Sequence, residues 1–395
     1  MYSLRVGVAK SSITPPLNVG LLTSSVEGKW APFISLRKPL MTRVIILDGS
    51  NEKIIIVALD LLGLTATSTA GWEKFKQSLS YAAAPAKIII HCTHTHNAPE
   101  SLALTDLYKS QAYIEWLKSV ASTIALCIKQ AEACMQNCNL SYGYEQLEYF
   151  SLQRRVPTEK GMVISDSLQP ISSELFKREP ADRRVRALKF TKKDGSVHAT
   201  IVHAVCHPVN EMCIPMISPD YPGELCSALE EMGTYGMPVF LNGAAGDINP
   251  PTVSCGEEYA VKQGNAVARS VVKMQFNDIE HVSLNYFHKS FELPVRNFQT
   301  AMAKDDYMAR INIIVLGCLA IVFLPGEPFV QTGLDIESLS PFLHTLVVGY
   351  SENSVGYIPP FPIFNEGGYE AGPGKWSYLG IDSEFMIRQN VTGML

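Results

Sequence analysis

The sequence lacks several features by which broad classes of protein are recognised. It contains no CxxC pair and no HExxH motif, and its longest apolar run, 311–324, is too short to span a membrane. No run of lysine and arginine is interleaved with aromatic residues, and the formal net charge is -5. This composition gives no reason to expect a nucleic-acid partner or a transmembrane segment.

The amino terminus and the cysteines predict where the protein works. Residues 1–10 alternate as a strand does, and they lack the apolar core and the cleavage site of a signal peptide. The nine cysteines are an odd number without a repeating spacing, which favours free thiols in a reducing cytoplasm. Cys134 and Cys138 are expected to be packing residues one helical turn apart. We therefore expect a cytoplasmic protein, and the sequence leaves its oligomeric state open.

Chain length and hydrophobic pattern predict one large domain with many hairpins. The chain has 395 residues, of which 47% are hydrophobic and 18% charged, and no linker or internal repeat divides it. A single domain over 1–395 is therefore expected. Strand-like runs occur in pairs around turn residues, which is typical of antiparallel hairpins. The pairs are 41–47 with 53–59, 185–190 with 198–203, and 312–316 with 319–324.

Helical periodicity predicts the helices of the fold. It is clearest over 110–136, where one face carries Tyr113, Trp116, Leu117, Val120, Ile124 and Ile128. Shorter helices are expected over 68–81, 221–232 and 257–274, with a closing helix or tail at 382–394. The Gly- and Pro-rich stretch 356–375 predicts ordered loop. The sequence thus predicts an α/β protein in which helices flank mixed β-sheets.

Three of the nine histidines lie within 91–96, directly after the apolar run 87–90. That run predicts a buried strand, and α/β enzymes collect their chemistry at the carboxyl ends of strands. Side chains alternate along an extended backbone, so His94 and His96 are expected to point the same way, with His91 packed in the structure. Neutral imidazole is the commonest protein metal ligand, so the cluster indicates a metal enzyme.

Polar residues also follow four other predicted strands. His207 follows the strand that begins near residue 198, and Asp247 lies in the small-residue loop that follows a strand at 238. Glu327 lies between prolines at the end of an apolar strand, and Tyr357 lies in a loop after another. Each alone has a structural explanation, such as a capped histidine, a plain turn or a packing tyrosine. Together they are what a site on an α/β sheet requires.

These elements resemble the amino-terminal catalytic domain of the neutral/alkaline ceramidase family. The matching segments run in the family's order through nearly the whole chain: 7–15, 93–96, 206–208, 242–250, 324–328 and 353–357. The resemblance implies a zinc-hydrolase-like fold and one Zn2+ per chain. By this resemblance the zinc ligands are His94, His207, Glu327 and Tyr357.

The resemblance also implies the residues around the metal. His96 is similar to a family residue that contacts the reacting group, and Arg154 to an arginine in the site, with Arg155 as its substitute. Asp247 is expected to orient a ligand histidine as a nearby carboxylate. The candidate substrate-binding residues are Asn97, Asn242, Asn249 and Tyr369.

Two departures from the family bear on the substrate. Ceramidases usually carry serine where this chain has Asn249, so a serine nucleophile at that position is excluded. Ceramidases also continue into an immunoglobulin-like β-sandwich, whereas this chain stops just past the catalytic region, so no such carboxyl-terminal domain is expected. The resemblance therefore implies cleavage of an amide bond in a small or amphiphilic substrate, not of ceramide by default.

The expected mechanism uses water activated by zinc, since a protein-bound zinc lowers the pKa of its water to about 7. The water attacks an amide carbonyl, His96 or Tyr357 helps to stabilise the oxyanion, and His96 protonates the departing amine. Arg154 binds a substrate carboxylate or oxygen through its planar fork. The alternatives are an ester or lactone hydrolase, an enzyme that joins an amine to an acyl group, and a non-catalytic binding protein on the same fold.

Two other metal-site templates fit less well. A metallo-β-lactamase site needs HxHxDH, but residues 97–99 after the second histidine are Asn-Ala-Pro. A barrel amidohydrolase carries its HxH on the first strand, whereas here several predicted elements precede the histidines.

Overall fold

The computed structural model describes residues 4–79, 87–296 and 303–395, and its core is built on two β-sheets. The strands in these residues are β1 (Leu4–Ser12), β2 (Leu21–Ser24), β3 (Lys29–Ala31), β4 (Ser35–Leu36), β5 (Met41–Asp48), β6 (Lys53–Leu59), β7 (Ile88–Cys92), β8 (Gln136–Gln146), β9 (Leu152–Gln153), β10 (Arg155–Thr158), β11 (Gly161–Ile164), β12 (Arg184–Lys192), β13 (Val197–Ala204), β14 (Met216–Ile217), β15 (Met237–Asn242), β16 (Ile248–Asn249), β17 (Asn277–Asp278), β18 (Leu284–Glu292), β19 (Met308–Leu316), β20 (Leu319–Phe323), β21 (Glu327–Pro328), β22 (His344–Val348) and β23 (Tyr357–Ile358). The α-helices are α1 (Trp72–Ser78), α2 (Gln111–Ala133), α3 (Asp220–Met232), α4 (Glu257–Lys273), α5 (Val330–Leu339), α6 (Phe361–Glu366) and α7 (Ser383–Thr392).

The larger sheet is mixed, and its order in the described residues is β15-β13-β12-β8-β1-β5-β6-β7, with the short β17 paired to β8. Its inner pairs are antiparallel, whereas the pair at each edge is parallel: β13 with β15, and β6 with β7. Parallel edge pairs place the carboxyl ends of neighbouring strands side by side. The loops that leave those ends carry the candidate histidines.

The smaller sheet has the order β18-β19-β20-β22 and packs on one face of the larger one. Buried residues of both sheets share one core cluster, for example Ile45 and Ile56 of the larger sheet with Ile321 and Val348 of the smaller. Helices α1 to α4 cover the other face of the larger sheet, and α5 and α7 cover the outer face of the smaller one. The result is a four-layer α/β/β/α arrangement, which confirms the predicted α/β class.

The predicted hairpins and the longest predicted helix are confirmed. Strands β5 and β6, β12 and β13, and β19 and β20 pair antiparallel. Helix α2 buries the six apolar residues that define its predicted face. Within the described residues there is no immunoglobulin-like domain, and none of their helices is long and apolar enough to cross a membrane. One domain over 1–395 stays a prediction.

Three local predictions need correction. Cys138 lies on β8, not one helical turn after Cys134, because α2 ends at Ala133; all nine cysteines are free thiols. The helix predicted over 68–81 begins only at Trp72, because hydroxyl groups of the preceding segment bond to its backbone and compete with the helix. Residues 80 and 81 lie outside the described residues. The loop predicted over 356–375 contains the short helix α6.

Candidate active site

The candidate site lies where strands of both sheets end together. The backbone N–H of Asn242, at the end of β15, donates to His91 Nε2 at 3.1 Å, which joins the two edges of the larger sheet. Gly349, just past β22, donates its N–H to the Asn242 carbonyl at 3.0 Å. These bonds hold the exits of β7, β15 and β22 at one place. His91 is therefore buried in the scaffold, as its position in the cluster predicts.

His94 reaches the site through a left-handed backbone conformation, with φ of 71°. The expected extended backbone from His94 to His96 is therefore wrong, although the two rings do meet, with centroids 5.0 Å apart. The Nδ1–H of His94 donates to the Leu62 carbonyl at 2.5 Å, because a carbonyl can only accept. Nε2 is then the lone-pair nitrogen, and no described residue gives it a hydrogen bond.

His207 is held in the same way after β13. Its Nδ1 lies 2.6 Å from the Ala245 carbonyl and 3.2 Å from that of Ile248, so Nδ1 carries the hydrogen. Its Nε2 faces Glu327 Oε2 at 3.1 Å. Burial, with a smaller effect from Arg154, lowers the pKa of His207 to about 4. The ring is therefore neutral at physiological pH, which is the state that a metal ligand requires.

Glu327 completes the cluster at the end of the smaller sheet. Its Oε2 lies 3.4 Å from His94 Nε2 as well as 3.1 Å from His207 Nε2. Its backbone pairs directly with Tyr357 between β21 and β23. The carboxylate is thus fixed beside two imidazole nitrogens.

The arrangement fits a metal ion. Ligand nitrogens of His94, His96 and His207 all lie within 4.8 Å of one another. The Nε2 atoms of His94 and His96 are buried and without a hydrogen-bond partner among the described residues. A tetrahedral zinc with ligand bonds of about 2.0–2.1 Å separates its ligand atoms by roughly 3.3 Å. The contacts of Glu327 with His94 and His207 match that separation.

Arg154 closes the site from the side of β9 and β10. It is buried, its Nη2 donates to Tyr357 Oη at 3.0 Å, and its Nη1 donates to Asn249 Oδ1 at 3.2 Å. Its Nε donates to Glu370 Oε1 at 2.8 Å. Arg155 points elsewhere, to Glu370 Oε2 and the Gly367 carbonyl. Of the two arginines considered from the sequence, Arg154 faces the histidines.

Comparison with known proteins yields a result for structure and none for sequence. No family model matches the chain, and no curated protein matches its sequence. The structure is similar to that of neutral ceramidase from Pseudomonas aeruginosa, with a TM-score of 0.78 and 15% identity, over 100% of this chain and 74% of that one. A ceramidase complexed with C2 gives a TM-score of 0.80 at 15% identity, over 100% and 75% of the two chains.

The fold is that of neutral ceramidase. The fold predicted from the sequence resemblance is therefore confirmed over the whole chain. Fold likeness at 15% identity does not assign the reaction. The remaining site residues of this ceramidase fold are therefore placed from their own contacts.

Asp247 does not orient a histidine, which corrects its predicted role. Its Oδ1 accepts from the N–H of Val330, the first residue of α5, and its Oδ2 accepts from Gln153 Nε2. Backbone carbonyls hold the histidine Nδ1 atoms instead. Burial raises the pKa of Asp247 to about 6. A carboxylate at a helix N-terminus is a structural anchor, so Asp247 fixes α5 beside the site.

Asn97 and Asn242 also belong to the scaffold, in contrast to their predicted role in substrate binding. Asn97 Nδ2 donates to the carbonyls of Ile214 and Met216 at 2.7 and 3.1 Å. Asn242 Nδ2 donates to the Thr93 carbonyl at 3.2 Å. Neither asparagine is among the residues that line the two cavities of the site. The two side-chain amides therefore donate to backbone carbonyl groups of loops that lack regular secondary structure.

Two cavities flank the candidate metal position, with volumes of about 170 Å³ and 240 Å³. Both are lined by His96, Tyr357 and Tyr369, so an extended substrate can occupy both sides of the histidines. Asn249 lines the 240 Å³ cavity beside Arg154. Tyr369 donates to or accepts from Ser25 Oγ at 2.6 Å, which holds its ring at the wall. The positions of Asn249 and Tyr369 are compatible with their predicted contact to substrate.

Two further residues contact the site, although the sequence assigns neither of them a role there. Tyr350 stacks on the His94 ring with centroids 4.2 Å apart, and its buried hydroxyl has no partner among the described residues. Glu370 binds both arginines, and its pKa is lowered by them against the opposing effect of burial. Tyr350 follows a predicted strand, which is a usable indication. Glu370 lies in a Gly-rich loop, and its spacing carries no such indication.

Proposed function

We propose that this protein is a zinc-dependent hydrolase that cleaves an amide bond of a small or amphiphilic substrate through zinc-activated water. The observation that carries the proposal is the tautomer of the two buried histidines. His94 and His207 each use Nδ1 on a backbone carbonyl, and each turns the Nε2 lone pair toward the Glu327 carboxylate. Arg154 Nη1 lies 3.5 Å from His207 Nε2, but three acceptors that face one another in a buried site still favour a cation between them.

His94, His207, Glu327 and Tyr357 would hold one zinc per chain. When bound there, zinc supplies a Lewis acid and a water with a pKa of about 7. Histidine Nδ1 atoms held by carbonyl groups support zinc, since such outer contacts fix the ligand rings. The role of Tyr357 as a ligand rests on the family resemblance, and its hydroxyl group already accepts a hydrogen bond from Arg154.

Other residues of the chain would transfer the proton and bind the substrate. Burial and the neighbouring histidines keep the pKa of His96 well below its ordinary value, so the resting ring is neutral. Its Nε2 has no hydrogen-bond partner among the described residues, so it would take up a proton from the attacking water only transiently and pass it to the departing amine. Arg154 directs two N–H groups toward Asn249 and Tyr357, where they can bind a substrate oxygen or carboxylate. Asn249 and Tyr369 would contact the substrate from the cavity walls. We expect a cytoplasmic protein that binds no nucleic acid.

Metal content and hydrolysis test the proposal together. We expect purified protein to carry about one zinc per chain and to release acid and amine from N-acyl amines. His94→Ala should remove both properties, whereas His288→Ala, an exposed histidine on β18, should keep both. Parallel assays with the matching ester, and with free acid plus amine, separate amide hydrolysis from the two alternative reactions. Protein that stays metal-free in zinc-containing buffer with all ligands intact would contradict the proposal.

A further inference from the structure

The 170 Å³ cavity contains a buried carboxylate that forms no ion pair with a cation of the described residues. Asp306 lines this cavity together with His94 and His96, and it is only 5% exposed. Its carboxylate accepts from the backbone N–H of Thr67 at 2.9 Å and from the Thr67 hydroxyl group. Among the described residues, no lysine, arginine or histidine forms an ion pair with it. Its neighbour Asp305, by contrast, pairs with Arg310 at 2.6 Å.

Aromatic rings form the rest of the wall around Asp306. Tyr108, Trp376 and Tyr378 line the same cavity, and the Tyr378 hydroxyl donates to the Asp306 backbone carbonyl at 2.9 Å. Aromatic faces attract cations, and a buried carboxylate without a counter-ion is costly. Lys375 also lines the cavity, but it is exposed and its Nζ donates to the Leu104 carbonyl at 3.1 Å. The cavity therefore favours a positively charged group over a neutral alkyl chain.

We infer that this cavity binds an alkylammonium group of the substrate, with Asp306 as its counter-ion and the aromatic rings around it. The inference rests on the proposed hydrolase and narrows its substrate to an amide that also carries a free amine. The same cavity reaches His94, His96 and Glu327, so one molecule can place its ammonium at Asp306 and its amide at the histidines. An ammonium group there would satisfy a charge that the described residues leave unpaired.

The competing explanation is that Asp306 only fastens its loop to Thr67. Asp306→Asn separates the two, because the asparagine Oδ1 can still accept from the Thr67 N–H while the charge is lost. Asp305→Asn is the matched control, since it removes a carboxylate from the adjacent position whose partner is Arg310 and which does not line the cavity. Equal thermal unfolding midpoints of the two variants would establish that Asp306→Asn keeps the fold.

The test compares two series of substrates with the zinc-loaded protein. One series is N-acetyl ω-aminoalkylamines of increasing chain length, and the other replaces the terminal ammonium by a methyl group. We expect kcat/KM to favour the ammonium series at one optimal length. That preference should fall roughly tenfold to a hundredfold in Asp306→Asn, mainly through KM, and stay unchanged in Asp305→Asn. A purely structural role for Asp306 would lower kcat/KM for both series equally.

Binding of n-pentylammonium, measured by calorimetry, separates this inference from the proposed function. Binding to the parent protein that is lost in Asp306→Asn supports the ammonium site even when neither series is cleaved, and then only the hydrolase proposal fails. Cleavage of both series without preference, or binding that Asp306→Asn does not weaken, overturns the ammonium site and leaves the hydrolase standing.

Discussion

Glu327 and Glu352 are both buried glutamates that lie past neighbouring strands of the smaller sheet, yet their surroundings differ. Glu352 is fully buried and accepts from donors only: Trp72 Nε1 at 3.1 Å, and Lys76 Nζ at 2.9 Å. Glu327 instead faces the lone pairs of His94 and His207. Glu352 therefore has an ion-pair partner within the chain, whereas no lysine or arginine of the described residues forms an ion pair with Glu327, whose charge we propose a metal ion would neutralise.

This difference distinguishes a structural charge from a functional one. A buried ion pair whose hydrogen bonds are complete fixes the elements that contribute it, and here Lys76 and Glu352 join α1 to the loop after β22. A buried carboxylate among acceptors is costly until a ligand arrives, which is typical of a binding site prepared in advance. Burial alone does not separate the two glutamates, since both are at most 8% exposed. What separates them is whether the neighbouring groups donate hydrogen bonds, as around Glu352, or accept them, as around Glu327.

Glu327→Gln should produce the largest effect because it removes the charge that the metal ion would meet. We expect zinc affinity to fall by more than the roughly 10- to 100-fold that loss of an outer contact costs, and activity to fall with it. The unfolding temperature of the metal-free protein should stay close to that of the parent. Chelation should then lower the unfolding temperature of the parent but not of the variant, since only the parent gains stability from bound metal.

Mass spectrometry measures the zinc content of both proteins, and thermal unfolding is recorded with and without chelator. A Glu327→Gln protein that retains stoichiometric zinc would contradict the comparison. So would a metal-free variant that is much less stable than the metal-free parent, because Glu327 would then be a structural charge like Glu352.

Glu352→Gln should act on stability instead. The change breaks the buried ion pair with Lys76, which costs about 3–5 kcal/mol in the free energy of unfolding. The same change at Glu258, whose pair with Lys262 is fully exposed and screened by solvent, should leave the free energy of unfolding close to that of the parent. Urea denaturation measures both values. A second change, Lys76→Met, should restore much of the loss if the broken ion pair is its cause; no restoration would argue against that cause.

Local features of the fold were predictable because they depend on interactions between residues that are close in the sequence. The turn at 48–51 requires no distant contact, and β5 and β6 pair around it as expected. Helix α2 follows from its own apolar face. The shortened α1 was not predictable from periodicity, because side-chain hydroxyl groups before Trp72 compete for the backbone. The parallel pairing at both sheet edges depends on contacts between distant strands.

The site was predictable in its residue types but not in its supports. His94, His207 and Glu327 follow apolar strands, and the structure places them together. The groups that orient the histidines are backbone carbonyls, which any residue supplies, so no sequence pattern marks them. Asp247 was predicted to orient a histidine because a sequence identifies carboxylate side chains, whereas every residue carries a backbone carbonyl. Asp306 follows no strand, and only the fold brings it to the cavity.

Tyr350 provides the smallest predicted effect and tests whether the surroundings of His94 matter beyond its carbonyl partner. The ring stacks on His94 with an interplanar angle of 28°, and its hydroxyl group makes no hydrogen bond with the described residues. Tyr350→Phe keeps the stacked ring and should leave zinc affinity within about twofold of the parent. Tyr350→Ala removes the ring and should weaken zinc binding by roughly tenfold, because His94 loses a neighbour that restricts its rotation.

Competition with a chromogenic zinc chelator measures both affinities. Equal losses in Tyr350→Phe and Tyr350→Ala would assign the effect to the hydroxyl group, and no loss in either would show that the Leu62 carbonyl alone orients His94. A loss of zinc affinity confined to Tyr350→Ala would show that the ring itself helps to hold His94 in place. The parts of the chain that prepare the metal site would then include an apolar surface as well as hydrogen bonds, whereas Glu352 depends on donors and a counter-charge alone.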